Sequence, residues 1–115
     1  MDINQYQTKA LITDTFDISG GVDVTDMAFV AKVLGLVGES GEFAEKIKKI
    51  IRNNDGKMSD DEKKELIKEL GDVLWYVSAL ARYLDVDLEQ VAKMNLEKLA
   101  SRKDRGKIKS SGDNR

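Results

Sequence analysis

Glu65-Leu66-Ile67-Lys68-Glu69-Leu70-Gly71-Asp72-Val73-Leu74-Trp75-Tyr76-Val77 repeats its apolar residues at helical spacing. With Glu69 at zero and about 100° per residue, Leu66, Leu70, Val73, Val77, Leu80 and Leu84 fall at roughly 20–100°, one apolar stripe. Asp72 falls near −60°, beside Glu65 and Tyr76, on the same count. The pattern is that of an amphipathic helix with two acids on one border of its buried face. Residues i and i+3 are neighbours on a helix, so Glu69 and Asp72 repel each other, and bare structure gains nothing from the pair.

The same arrangement occurs upstream. With Glu39 at zero, Leu36, Phe43, Ile47 and Ile50 fall at roughly 20–80° and Glu42 near −60°. Two acid pairs, Glu39-x-x-Glu42 and Glu69-x-x-Asp72, thus flank two apolar seams at matched offsets. If the seams pack together, the four carboxylates converge at one edge. A divalent cation there would remove the repulsion. The chain has no histidine and no cysteine to compete as a ligand. All-oxygen ligation suits a hard ion, with Mg²⁺ first, Mn²⁺ as a substitute and Ca²⁺ after them. The absence of histidine also argues against a di-iron bundle built on Glu-x-x-His pairs.

Outward from these pairs, helical periodicity continues and no segment alternates like a strand. A first helix is expected over about Ile3–Thr15, and Asp17-Ile18-Ser19-Gly20-Gly21 reads as a loop. Thr25 is the expected N-cap of a second helix reaching about Arg52, ended by Asn53-Asn54-Asp55-Gly56. Ser59-Asp60-Asp61-Glu62 matches a capping box and opens a third helix to about Leu84. Asp87-Leu88-Glu89-Gln90 is a second such box, opening a fourth helix to about Arg105. The fold class is therefore all-α, a four-to-five-helix bundle. Residues 1–107 form one helical domain and 108–115 a basic, disordered tail. Gly35, Gly38 and Gly41 lie in the second helix and Gly71 in the third; close approach, room for a ligand, or a kink would each account for them.

The 115 residues suffice for one domain with a modest core. Net charge is −2 with 35% charged residues, which argues against a nucleic-acid binder. No apolar run has the length of a membrane span, and Met1-Asp2-Ile3-Asn4 is not a signal peptide. The expectation is a cytoplasmic protein without a membrane partner. The basic residues concentrate late: Lys93, Lys98, Arg102, Lys103, Arg105, Lys107, Lys109 and Arg115. On the fourth helix Val91, Asn95, Lys98, Arg102 and Arg105 share a stripe within roughly 80° of arc, beside an apolar face of Leu88, Ala92, Leu96 and Leu99. Lysine and arginine are natural phosphate ligands, so a negative metal site near this segment could hold a phosphorylated ligand. The competing reading is a solvated helix face.

These residues resemble the MazG-like all-α nucleoside triphosphate pyrophosphohydrolases. The family's E-E-x-x-E…E-x-x-D signature is matched by Gly38-Glu39-Ser40-Gly41-Glu42 and Glu69-Leu70-Gly71-Asp72. The C-terminal Asn95-Leu96-Glu97-Lys98-Leu99 with Arg102 is similar to the family's Asn-x-x-Lys segment, and Tyr6-Gln7 to the start of its small members. The resemblance covers about residues 3–107. It departs at Gly38, where many members carry the first glutamate. It implies Mg²⁺-dependent cleavage of an NTP or dNTP between the α and β phosphates, to a monophosphate and pyrophosphate. Glu39, Glu42, Glu69 and Asp72 would hold the metal, and Asn95 and Lys98 would contact the nucleotide. Two other functions remain open: a dUTPase- or dCTPase-like hydrolase, and a catalytically weak nucleotide-binding helical module.

Among the remaining residues, Glu39, Glu42 and Glu45 are candidates for general base, with Glu45 facing solvent and paired with Lys49. Lys46 reads as a partner of Glu42 at i+4 or as a phosphate ligand. Arg102 and Arg105 are candidate substrate contacts beside Asn95 and Lys98. Tyr76 shares the acid face and is placed to hydrogen-bond or stack on a base. Trp75 points elsewhere and reads as an oligomer contact. A second helix of about 27 residues spans roughly 40 Å, more than a small domain covers alone, so a homodimer or tetramer is expected.

Overall fold

The computed structural model describes residues 1–106. Four α-helices follow in order: α1 (Ile3–Ala10), running on into a 3-10 turn (Leu11–Thr13), α2 (Met27–Asn54), α3 (Asp60–Tyr83) and α4 (Leu88–Asp104). Among the described residues there is no strand. The expected tail at 108–115 lies outside them.

Each boundary follows from local chemistry. Asp2 caps α1, its carboxylate accepting from the Gln5 N–H (2.8 Å) while Gln5 Oε1 accepts from the Asp2 N–H (2.8 Å). The first helix stops at Ala10, short of the expected Thr15, because the chain tightens into the 3-10 turn. Asp26, not Thr25, precedes α2, and it makes no side-chain cap bond; its carboxylate instead accepts from the Asp23 N–H (2.7 Å). Helix α2 runs unbroken through Gly35, Gly38 and Gly41 and ends where Asp55 (φ 53°) and Gly56 (φ 80°) turn left-handed. Ser59 opens α3 with a complete capping box: Glu62 N–H donates to Ser59 Oγ (3.1 Å) and Ser59 N–H to Glu62 Oε1 (2.9 Å).

The expected box at Asp87 is half formed. Asp87 accepts from the Gln90 N–H (2.8 Å), and α1 meets the neighbouring donors. Leu88 N–H donates to Gln7 Oε1 (3.1 Å) and Glu89 N–H to Asn4 Oδ1 (3.0 Å). Gln7 is itself buried, and its Nε2 donates to the Ser78 (3.1 Å) and Val86 (3.3 Å) carbonyls. One amide side chain thus joins α1, α3 and the start of α4.

Helices α2 and α3 form an antiparallel hairpin across the short 55–59 turn, as a short connection requires. Ile50 and Leu66 are buried near the turn, Ala28, Ala79, Ala81 and Tyr83 near the open end. Gly35 makes room for an aromatic side chain of α3: a Cβ there would lie 2.2 Å from the Tyr76 ring, whereas Gly38, Gly41 and Gly71 have open space. The α3–α4 turn is sharp, with Asp85 at φ 60°.

A buried ion pair anchors the N-terminal segment. Lys32 Nζ lies 3.0 Å from Asp14 Oδ1, with side chains only 5% and 4% exposed. The ammonium also sits over the rings of Phe16 (4.4 Å), Tyr83 (5.3 Å) and Trp75 (5.6 Å). The Tyr83 hydroxyl and the Phe16 N–H donate to Asp14. Burial alone would raise the Asp14 pKa, but these hydrogen bonds and Lys32 outweigh it and hold the carboxyl below its usual range. Asp14 in turn pushes the buried Tyr83 hydroxyl far above its ordinary value, desolvation being the first cause.

Surface apolar residues are numerous. Met94 and Leu96 on α4 are 61% and 67% exposed, so the apolar face expected there is largely uncovered within one chain. Helix α2 carries a second apolar stripe, Val30, Val33, Leu34 and Val37, all exposed. The radius of gyration is 17.1 Å, against about 13 Å for a compact domain of this length.

Two substitutions test this architecture. Lys32→Met leaves Asp14 buried without its cation and should cost about 3 kcal/mol in urea unfolding. Because a depressed carboxyl pKa stabilises the fold only above its unfolded value, the stability from Asp14 should fade as pH drops through its folded value. Asp14→Asn should flatten that acid limb. Gly35→Ala should destabilise by about 1–3 kcal/mol through overpacking on Tyr76. Gly41→Ala, with open space at its Cβ, should instead gain up to about 1 kcal/mol from helix propensity.

Candidate metal centre

Like charge gathers where α2 and α3 face each other. Glu39 of α2 and Glu69 and Asp72 of α3 each offer a carboxylate oxygen, all within 4.8 Å of one another. Glu39 and Glu69 are half-buried and Asp72 is exposed. The Glu39 carboxyl is pushed above its ordinary pKa, first by desolvation, then by the charges of Asp72, Glu69 and Glu42, and by a hydrogen bond shared with Glu69. Helix geometry explains the cluster: i, i+3 spacing puts Glu69 and Asp72 on one face of α3, and antiparallel packing sets Glu39 against them.

Glu42 stands outside this three-residue group and is exposed, although its charge still reaches Glu39. Lys46 does not pair with Glu42. It crosses to α3, where its Nζ lies 3.1 Å from Glu69 Oε1 and 3.4 Å from Glu65 Oε2. Its pKa is raised, first by the hydrogen bond with Glu69. The antiparallel hairpin, which a single-helix count leaves out, brings those acids closer to Lys46 than its own neighbour one turn back. Glu45 pairs with Lys48 (2.9 Å) rather than with the expected Lys49, and the Lys48 contact first of all holds its carboxyl low.

An open concavity of about 300 Å³ adjoins the acids, lined by Glu39, Asp72, Trp75 and Tyr76. Tyr76 lies on the acid face, as the helical count has it. Trp75 does not point away. Its indole N–H donates to the Ala10 carbonyl (3.1 Å) and to Thr13 Oγ1 (2.9 Å), which turns the ring toward the concavity. Tyr76 meets it edge-on, ring centroids 4.9 Å apart at 81°. Tyr6 of α1 is also near; its pKa is raised by burial and then by the Asp72 charge. The i, i+3 spacing already puts Trp75 beside Asp72 on α3; what the periodicity leaves out is the pair of acceptors on the first helix and 3-10 turn that fix the indole N–H.

The basic residues of α4 are elsewhere. That helix packs on α1 and α3 and not on α2. Asn95 is exposed, Lys98 half-buried, Arg102 buried at 5% exposure, and Arg105 exposed with its Nε donating to Ser101 Oγ (3.2 Å). None of the four lines the concavity beside the acids.

Chemically, the three carboxylates fit a hard divalent cation. Mg²⁺ binds oxygen at about 2.1 Å, which puts its ligand oxygens roughly 3–4 Å apart; oxygens within 4.8 Å of one another need only small side-chain shifts to reach that. All donors are oxygen, and Glu39 is half-buried with its pKa raised by desolvation and by the neighbouring carboxylates.

The MazG nucleotide pyrophosphohydrolase domain matches residues 29–106. The chain belongs to that family. It is also 47% identical over 116 residues to "Gene 37 protein" of Mycobacterium phage L5, with the whole of both chains covered. No solved structure matches the chain. Among the described residues, no helix is long and apolar enough to cross a membrane.

The crowding predicts a pH signature in the metal-free protein. For an acid whose folded pKa lies above its unfolded value, the native state binds more protons, so stability falls as pH rises through the folded pKa. Glu39→Gln should remove that decline in thermal melts across the carboxylate range. Added Mg²⁺ should raise the parent's melting temperature, and Asp72→Asn should abolish most of that rise.

Proposed function

We propose that this chain is a Mg²⁺-dependent nucleoside triphosphate pyrophosphohydrolase, cleaving NTP or dNTP to the monophosphate and pyrophosphate. The observation that carries the reading is the meeting of Glu39, Glu69 and Asp72 within 4.8 Å, one from α2 and two from α3. Membership of the MazG family supports it.

Triphosphate is strongly anionic, and bare carboxylates repel it. Bound Mg²⁺ would offset that charge and polarise the phosphoryl oxygens. Glu39, Glu69 and Asp72 would hold the ion, with Glu42 joining from the next turn of α2 or acting as base. Glu42 is the better base of the remaining acids: it neighbours the cluster without belonging to it, whereas Glu45 is occupied by Lys48. Its carboxylate would take the proton from the water attacking the α-phosphorus. Lys46, held at Glu69, would turn to a phosphate once the metal takes that carboxylate.

Assembly belongs to the same proposal. The exposed stripe Val30, Val33, Leu34 and Val37 and the uncovered α4 face are surfaces that a second copy of the chain would bury, giving a homodimer or tetramer. Within one chain α4 does not contact α2. Asn95, Lys98 and Arg105 would then reach substrate held across a subunit interface, whereas Arg102 is buried within its own chain.

Pyrophosphate release from a panel of NTPs and dNTPs with Mg²⁺ or Mn²⁺ tests the reaction. Glu69→Gln and Asp72→Asn should each cut the rate by about 10²-fold or more, the scale on which loss of one electrostatic stabiliser acts. Sedimentation should give more than one chain per particle, and Leu34→Glu should shift it toward the monomer. A folded, Mg²⁺-binding protein with no release from any substrate would reject the enzymatic reading.

A further inference from the structure

Trp75 is the chain's one tryptophan, and its environment is built. The indole N–H is spent on two acceptors, the Ala10 carbonyl (3.1 Å) and Thr13 Oγ1 (2.9 Å). Thr13 Oγ1 is itself held, donating to the same carbonyl (2.6 Å). The buried Lys32 ammonium lies over the ring, 5.6 Å from its centroid, and is fixed in turn by Asp14. The Tyr76 ring stands perpendicular to it, centroids 4.9 Å apart. What remains of the half-buried indole forms a wall of the concavity shared with Glu39 and Asp72. The result is a rigid aromatic surface beside the acids whose only hydrogen-bond donor is turned away and engaged.

We propose that Trp75 is the platform on which the substrate's nucleobase stacks, and that it selects by stacking area rather than by reading the base edge. This rests on the proposed function, which puts the triphosphate at the carboxylates and so directs the nucleoside into the adjoining concavity. Every base has a π-face, so stacking tolerates all of them and favours the larger. Strong rejection of a wrong base requires buried polar groups that go unpaired with it. The indole N–H cannot serve that purpose, because it already has its partners. The specificity that follows is for purine over pyrimidine nucleotides, by a modest factor, with adenine and guanine treated nearly alike. Lys32 and Thr13 are positioning residues in this scheme, acting on the base through Trp75.

Trp75 is also the chain's only indole fluorophore, so the test can be read without turnover. Titrate the full chain with Mg²⁺ and the α,β-methylene analogues of ATP, GTP, CTP and UTP, with inorganic tripolyphosphate as the baseless probe. The analogues should change Trp75 emission and tripolyphosphate should not; the purine analogues should bind several-fold more tightly. By calorimetry, Trp75→Ala should weaken the nucleotide analogues about tenfold or more and leave tripolyphosphate unchanged. Trp75→Phe, which keeps a stacking face and tests the role should the alanine variant fail to fold, should retain most of the affinity.

Equal weakening of tripolyphosphate and nucleotides in Trp75→Phe would make the residue structural and overturn the proposal. So would unchanged nucleotide affinity in Trp75→Ala, or discrimination between ATP and GTP analogues beyond a hundredfold. Analogue binding with the emission change but no cleavage of NTPs sinks the proposed reaction and leaves the platform standing. Pyrophosphate release that is indifferent to Trp75 sinks the platform alone. Absence of binding by every analogue would overturn both.

Discussion

The separation of α2 and α3 at Gly35 is the constraint on which the rest of the molecule depends. The Tyr76 ring occupies the space that any side chain at position 35 would need. That contact sets how near the two helices run, and nearness decides whether carboxylates on different helices can share one cation. It also decides the alignment: with Gly35 opposite Tyr76, Glu39 comes to Asp72 one turn further along α2, and Lys46 reaches Glu65 and Glu69 beyond that. A glycine in a helix interior costs roughly 1 kcal/mol against alanine. At Gly35 the contact with Tyr76 accounts for that cost; Gly38, Gly41 and Gly71 meet no such contact.

Around this seam the electrostatics divide into two sites with opposite logic. At the Lys32–Asp14 pair, one cation and one anion are buried together and supported by a hydroxyl, a backbone N–H and three aromatic rings. The charges are satisfied internally, as buried charges must be. At Glu39, Glu69 and Asp72 the charges are alike, and Lys46, which pairs with Glu69, is shared with Glu65. The raised pKa of Glu39 is the trace of that imbalance. A fold selected only for stability would not put three acids against one another. The buried pair satisfies its own charges and the acid cluster does not, and Trp75 lies between them, near Lys32 and bordering the acids.

Much of this was legible in the sequence, and for identifiable reasons. The seams of α2 and α3 follow from local periodicity, and so does the convergence of Glu39 with Glu69 and Asp72 once the two helices are paired. The Ser59 capping box was readable because both partners lie within four residues. What escaped was long-range. Gln7 caps α4 from across the fold, so the Asp87 box, legible as a motif, is only half made. Lys46 takes its partners from α3, and Trp75 takes its orientation from the 3-10 turn. Each of these depends on a contact between residues far apart in the chain. The buried pair of Lys32 and Asp14 gives no local signal either, since both residues read as ordinary surface charges until Phe16, Trp75 and Tyr83 are brought around them.

The placement of α4 carries the argument from one chain to several. Its first turn is held tightly, by Gln7, Asn4 and the buried Leu88. Past that point Val91, Met94, Leu96 and Leu99 are all at least 39% exposed. Side chains of that kind gain roughly 1.5–3 kcal/mol each when fully buried, so a surface able to cover them is strongly favoured. The α2 stripe of Val30, Val33, Leu34 and Val37 is uncovered in the same way. Two apolar faces on one small chain, neither covered by the other, suit association between identical copies, where a face on one can be buried by a face on the next. The basic stripe of α4 would travel with that helix. Under the proposed assembly, the acid cluster on α2 and α3 of one copy and the basic stripe on α4 of the next would carry opposite charge toward each other.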